Sequence, residues 1–144
     1  DTPTGALYLT NVLGPSAIQA PDPTGERLDF HLVAPGLALM TSWDDERLDT
    51  YTAAPLSAAT PLTITAAGSL RELVRTGAAQ GYAWADQALD LEVNGVAVLV
   101  PGADPVASIS LYGPAYRLNP SDRPDLGDAL HKLVREQAPG LLGV

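Results

Sequence analysis

The side chains able to do chemistry are few. His31 and His131 are the only histidines, and cysteine is absent. Without cysteine there is no disulfide framework, no thiolate zinc site and no cysteine nucleophile. His131 lies in Ala129-Leu130-His131-Lys132, on what reads as the solvated side of a helix. His31 precedes a turn at Ala34, where it bonds a backbone carbonyl or lines a pocket. No second histidine stands at ligand spacing, so no metal site is expected. The nucleophile elbow, the Walker loop and the dinucleotide-binding glycine pattern do not occur. The acidic triplet Asp44-Asp45-Glu46 reads as the start of a helix, where carboxylates suit the dipole. No catalytic residue, metal or cofactor is assigned, and the chain is not read as an enzyme.

Three features offer a small-molecule pocket. The turn Ala34-Pro35-Gly36 opens a helix, and backbone N–H groups at a helix start seat a carboxylate. Gly36 there allows close approach to the backbone. Ser108, Ser110 and Tyr112 place a row of hydroxyls on one face of a strand. Asp86-Gln87 follows the Tyr82 strand. Each has a plain structural reading as well: a proline-started helix, the wet side of a sheet, a turn.

The elements that position these residues alternate in kind. Ala6 to Val12 reads as a strand, Ala17 to Ala20 as a second, and Arg27 to Leu32 as a third, with a Pro21–Gly25 turn before it. A helix is expected from Pro35 toward Trp43 and another over Asp44–Tyr51. Thr60–Thr65 passes a ligand or simply links. Ser69 or Thr65 caps a third helix whose face carries Leu70, Leu73, Val74 and Ala78, and Gly81 ends it. Tyr82–Ala85 is a strand. Val96–Val100 and Val106–Tyr112 form a hairpin. Leu126, Leu130, Leu133, Val134 and Ala138 mark the core face of a last helix, stopped by Pro139-Gly140. This order favours an α+β layer over a parallel α/β fold.

Composition bounds the function. The 144 residues suit one domain, 1–144, and 46% are apolar. Eight basic residues against seventeen acidic ones give a net charge of −9. Such a domain repels a phosphate backbone and an anionic membrane. The Leu32–Met40 stretch falls far short of the roughly 20 apolar residues a bilayer needs. No signal peptide is recognised. The first residue is Asp1, and the chain is expected to be a piece of something longer.

The ordered set Gly81-Tyr82-Ala83-Trp84-Ala85-Asp86, then Val96-Ala97-Val98-Leu99-Val100, then Ala107-Ser108-Ile109-Ser110-Leu111-Tyr112-Gly113-Pro114 resembles a family pattern. That pattern runs G-Y-A-x-x-D-E-E, A-x-A-x-P-V, A-x-S-x-S-G-P, and belongs to the C-terminal effector-binding domain of IclR-type transcriptional regulators. His31 to Met40 is similar to the family's L-H-A-T-A-L-G-K-A-L-L-A. Leu7–Leu9 to Gly14-Pro15 resembles its opening strand. The resemblance spans nearly the whole chain.

The resemblance implies a GAF-like fold, with helices on a curved antiparallel sheet and a pocket on one sheet face. It implies a cytoplasmic regulator that senses a small organic acid and assembles as a homodimer or homotetramer. DNA is reached only through a winged helix–turn–helix module, absent from this fragment. The effector positions carry over to Ala34, Pro35, Gly36, Leu37, Asp86, Gly95, Ser110 and Tyr112, and Val98 is expected to pack with Tyr112 against the body of the ligand. Pro35 lacks an N–H, Gln87 and Ala88 replace two glutamates, Gly95 supplies no side chain, and Leu37 replaces a lysine. The alternative is an oligomerisation module of the same fold with a degenerate pocket.

Overall fold

The fold is described from a computed structural model, over residues 5–12, 14 and 22–141. The expected strand at Ala17 to Ala20 lies outside them. Strand β1 (Gly5–Leu7) pairs antiparallel with β2 (Arg27–Asp29). A 3-10 turn (Phe30–Leu32) leads into α1 (Ala34–Met40), α2 (Asp45–Ala53) and α3 (Ala67–Gln80). Strands β3 (Ala83–Asp86), β4 (Val93–Leu99) and β5 (Ser108–Pro114) form a second antiparallel ladder in that order. A 3-10 turn (Pro120–Asp122) precedes α4 (Arg123–Leu141). The class is α+β, with the strands of the described residues grouped in two ladders.

Alternation along β3 and β4 explains the layering. Ala83, Ala85 and Ala97 pack with α1 and α3, in a core of Leu37, Met40, Leu70 and Val74. Tyr82, Trp84, Val96 and Val98 pack on the other side against Val134 of α4. Small residues on one face let α1 lie close to the sheet, and large ones on the other fill the space beneath α4. Phe30, Trp43 and Tyr51 close the first core edge to face, with centroids 4.8, 5.8 and 5.5 Å apart.

Several boundaries differ from the sequence reading. The first strand ends at Leu7, not Val12, because its partner turns away at Pro23–Gly25. Tyr8 N–H still donates to the Glu26 carbonyl (3.0 Å) and Gly25 N–H to the Tyr8 carbonyl (2.8 Å). The β2 segment bends at Phe30 rather than running to Leu32, burying Phe30, His31 and Leu32 in the 3-10 turn. Neither Ser69 nor Thr65 caps α3, whose N-cap is Ala66 with no side-chain bond. Ser69 falls inside the first turn. Its buried face carries Gly77 where Ala78 was expected. Asp44 does cap α2, accepting from Arg47 N–H at 2.8 Å. Gly81 ends α3 at φ +89°, a left-handed conformation that glycine adopts without strain.

The last helix runs to Leu141, past Pro139-Gly140. Proline costs a helix one N–H and a clash one turn back, and here the chain keeps helical form for two more residues. Leu133 is 55% exposed, while Val134 and Ala138 are buried. Gly127 also faces inward, and a Cβ there would stand 2.4 Å from the Tyr82 ring.

Candidate effector pocket

A cavity of about 200 Å³ opens between the β1–β2 hairpin, the start of α1 and the α1-facing side of the three-stranded sheet. The sequence builds it by omission. Gly95 and Ala85 face each other across β3 and β4, and Gly95 pairs with Tyr112 of β5. Larger side chains at 85 and 95 would fill the space beneath Ala34, whose Cβ lies 3.3 Å from where a Gly95 Cβ would stand. Leu28, Leu32, Val33 and Ala88 add apolar wall. Tyr8 and Tyr112 bring phenol groups, and Asp22, Glu26 and Asp90 bring carboxylates.

Hydrogen bonds fix this wall. The Thr60 hydroxyl donates to the Gln87 carbonyl (2.7 Å) and the Thr63 hydroxyl to the Ala88 carbonyl (2.6 Å). The Thr60–Thr65 stretch is therefore a brace for the turn after β3. Gln87, at φ +50°, donates its N–H to Asn94 Oδ1 at 3.0 Å. Asn94 Nδ2 donates to the Leu118 carbonyl at 2.7 Å, so both ends of this buried amide are engaged. Asp22 accepts from the Thr24 N–H and hydroxyl, at 2.9 and 2.6 Å. Asp90 accepts from Glu92 N–H at 2.8 Å.

Both phenols hold their protons more tightly than a free tyrosine. Burial pushes Tyr8 up to about 12, with Tyr112 and the Glu26 carboxylate adding to the shift. Burial raises Tyr112 as well, and Asp22 contributes. The Thr24 bonds lower Asp22. Both phenols are thus neutral donors at any physiological pH.

The site residues expected from the sequence divide. Ala34, Pro35, Gly95 and Tyr112 line this cavity. Ser110 stands on the same sheet face opposite Ala97, between Ser108 and Tyr112, but outside the lining. Gly36, Leu37, Val98 and Asp86 lie elsewhere. A Cβ at Gly36 would stand 2.2 Å from the Phe30 carbonyl oxygen. The close approach this glycine permits is therefore to Phe30, not to a ligand. Leu37 is core, 2% exposed. Val98 packs in the opposite core with Trp84 and Val134. Asp86 also points to the α4 side, where Trp84 Nε1 donates to it and Arg123 pairs with it, both at 2.5 Å. The Pro35 carbonyl accepts from the Ser108 hydroxyl at 3.1 Å, which ties β5 to α1.

The histidines serve packing. His31 is buried, with Nε2 against the Ser57 carbonyl and Nδ1 against the Tyr51 hydroxyl, each at 2.7 Å. A carbonyl only accepts, so Nε2 carries the proton and Tyr51 donates to Nδ1. His131 is not on an open face. Its Nε2 would sit 3.2 Å from a Gly81 Cβ, and it lines a second cavity of about 170 Å³ with Gly77, Tyr82 and Pro101. Among the described residues no cluster of His, Cys, Asp or Glu is arranged to hold a metal. None of their helices is long and apolar enough to cross a membrane.

Sequence reasoning missed Tyr8, Asp22, Glu26 and Asp90. They meet only because the β1–β2 hairpin folds over the sheet, which no local spacing encodes.

The family model for the bacterial transcriptional regulator IclR C-terminal domain matches residues 3–138. The chain belongs to this family. No curated protein sequence matches it. The IclR of Thermotoga maritima superposes with a TM-score of 0.84 at 22% identity, covering 100% of this chain and 59% of that one. An IclR homolog complexed with 4-hydroxybenzoate from Microbacterium hydrocarbonoxydans gives 0.75 at 23% identity, over 95% of this chain and 54% of that one. The inducer-binding domain of a PobR double mutant from Acinetobacter, in complex with 3-hydroxybenzoic acid, gives 0.69 at 26% identity, over 82% and 67%. This IclR domain thus spans about half to two thirds of each of these three chains. It is an effector-binding domain of a transcriptional regulator, not an enzyme fold.

Proposed function

We propose that this IclR domain senses a small organic effector in the cavity between Tyr8 and Tyr112. Occupancy changes DNA binding by a winged helix–turn–helix module joined to it, within a cytoplasmic homodimer or homotetramer. Only a ligand with different affinity for two arrangements of the assembly transmits such a signal. The observation that carries the reading is the cavity itself. An apolar cavity of about 150 Å³ accommodates benzene, so about 200 Å³ accommodates one substituted ring. The hydroxybenzoate complexes of two relatives support that size and the organic-acid class. Among the described residues no cationic side chain lines this cavity.

The test is thermal unfolding against a panel of single-ring and short aliphatic acids, alcohols and amines. A ligand at about one hundred times its dissociation constant adds roughly 2.7 kcal/mol, a rise of several degrees. Gly95→Val, filling the cavity while keeping the far-ultraviolet circular dichroism, abolishes the rise. A flat panel favours the alternative, an assembly module with no effector. Pro35 supports that alternative, since it offers no N–H at the start of α1.

A further inference from the structure

Tyr8 stands apart from the other polar groups of the cavity. The Asn94 amide is engaged at both ends, and Asp22 and Asp90 accept turn hydrogen bonds. Among the described residues the Tyr8 hydroxyl meets no hydrogen-bond partner, although the side chain is half-buried in the cavity wall. Burial pushes its pKa up to about 12, and no hydrogen bond to the phenolate offsets the rise. A donor in a cavity wall is satisfied by whatever occupies the cavity. The backbone of Tyr8 is fixed, its N–H on the Glu26 carbonyl (3.0 Å) and its carbonyl on the Gly25 N–H (2.8 Å). The phenol is therefore carried by the β1–β2 hairpin, whereas Ala85, Gly95 and Tyr112 of the facing wall belong to the three-stranded ladder. The two ladders share no strand pairing among the described residues, so a molecule in the cavity touches both at once.

We propose that Tyr8 is a specificity-determining residue of the effector site: its hydroxyl donates to an acid oxygen of a single-ring organic acid, and that bond ties the β1–β2 hairpin to the sheet. This rests on the cavity being the effector site. An O–H donated to a carboxylate is a charge-assisted bond, shorter and stronger than one between neutral groups. It stands in for the N–H that Pro35 lacks at the start of α1. Leu28, Leu32, Ala85 and Ala88 take the ring. Because the donor sits on the hairpin and the rest of the wall on the sheet, the acid binds best when the hairpin is docked, and its binding favours that arrangement. An apolar guest of the same size fills the cavity without this tie.

The test compares wild type with Tyr8→Phe, which removes the hydroxyl and keeps the ring. The probes are 4-hydroxybenzoate and 4-methylphenol, which lacks the acid group, titrated calorimetrically. Expected is about tenfold or greater weakening of 4-hydroxybenzoate, with 4-methylphenol within about twofold and the unliganded domain unfolding as wild type does. Amide hydrogen exchange gives a second readout that needs no variant. Saturating 4-hydroxybenzoate slows exchange at the Tyr8 and Gly25 amides of wild type, and 4-methylphenol does not. Undiminished 4-hydroxybenzoate binding in Tyr8→Phe overturns the proposal. So does an equal loss for both probes, which marks a packing role, or unchanged exchange at the two amides. In each of these cases binding that is still lost in Gly95→Val leaves the cavity as effector site. Absence of 4-hydroxybenzoate binding to wild type also overturns the proposal, and the wider unfolding panel then decides separately whether the cavity is an effector site.

Discussion

Asp86 and Arg123 are joined across the α4 side of the sheet, carboxylate to guanidinium at 2.5 Å, while the cavity opens on the other side beside Ala85. Neighbouring residues of a strand point to opposite faces. Trp84 completes the cluster, with Arg123 4.9 Å above its ring centre. This places Asp86 in the anchoring of α4. Asp86→Asn is expected to lower stability by about 1 kcal/mol, the scale of one charge-assisted bond in a partly exposed setting. Ligand affinity stays within twofold of wild type. Tenfold weaker binding at unchanged stability would contradict the assignment.

Glycine requirements separate two sites sharply. Gly36→Ala forces a Cβ to 2.2 Å from the Phe30 carbonyl oxygen and is expected to cost roughly 1–3 kcal/mol or more, as overpacking does. Gly68→Ala meets nothing within 4 Å on α3 and is expected to gain up to about 1 kcal/mol of helix propensity. Urea titration of both variants reads the contrast directly. Equal effects would show that α1 does not sit on the Phe30 backbone as described.

Alkaline pH tests the cavity's polarity. The folded Tyr8 phenol holds its proton to about pH 12, against 10.0 for a free tyrosine. The unfolded chain therefore loses that proton first as pH rises. Stability attributable to Tyr8 is intact below about pH 10 and falls between 10 and 12. Phenolate absorbance in Tyr8→Phe is expected to lack the highest titrating tyrosine, and the alkaline loss of stability becomes shallower. Tyr51 and Tyr112 are raised too, so the slope shrinks without vanishing.

The His31–Tyr51 bond predicts a stability effect with no functional one. Tyr51→Phe leaves buried Nδ1 without its donor and is expected to cost about 1–3 kcal/mol while retaining ligand binding. A variant as stable as wild type would mean that the ring nitrogen finds another partner.

Much of the fold was legible where one strong local rule acts. Asp44 capping α2, Gly81 closing α3 and the β4–β5 hairpin all follow from local chemistry. The ends of β1 and β2 were not legible, because their lengths depend on where the partner strand turns away. The site was half legible. Ala34, Pro35, Gly95 and Tyr112 reach the cavity through family pattern and alternation. Val98 and Asp86 were expected there too, and their position in the alternation sends them to α4. Tyr8 and the three carboxylates depend on how the hairpin docks.

The most direct measurement is amide chemical-shift mapping of the isotope-labelled domain, titrated with the ligand that raises its unfolding temperature most. The account predicts perturbations concentrated at Tyr8, Leu28, Ala85, Gly95 and Tyr112, around the first cavity. Perturbations centred instead on Gly77, Gly81, Leu99 and His131, around the second cavity, with those five unmoved, would contradict it.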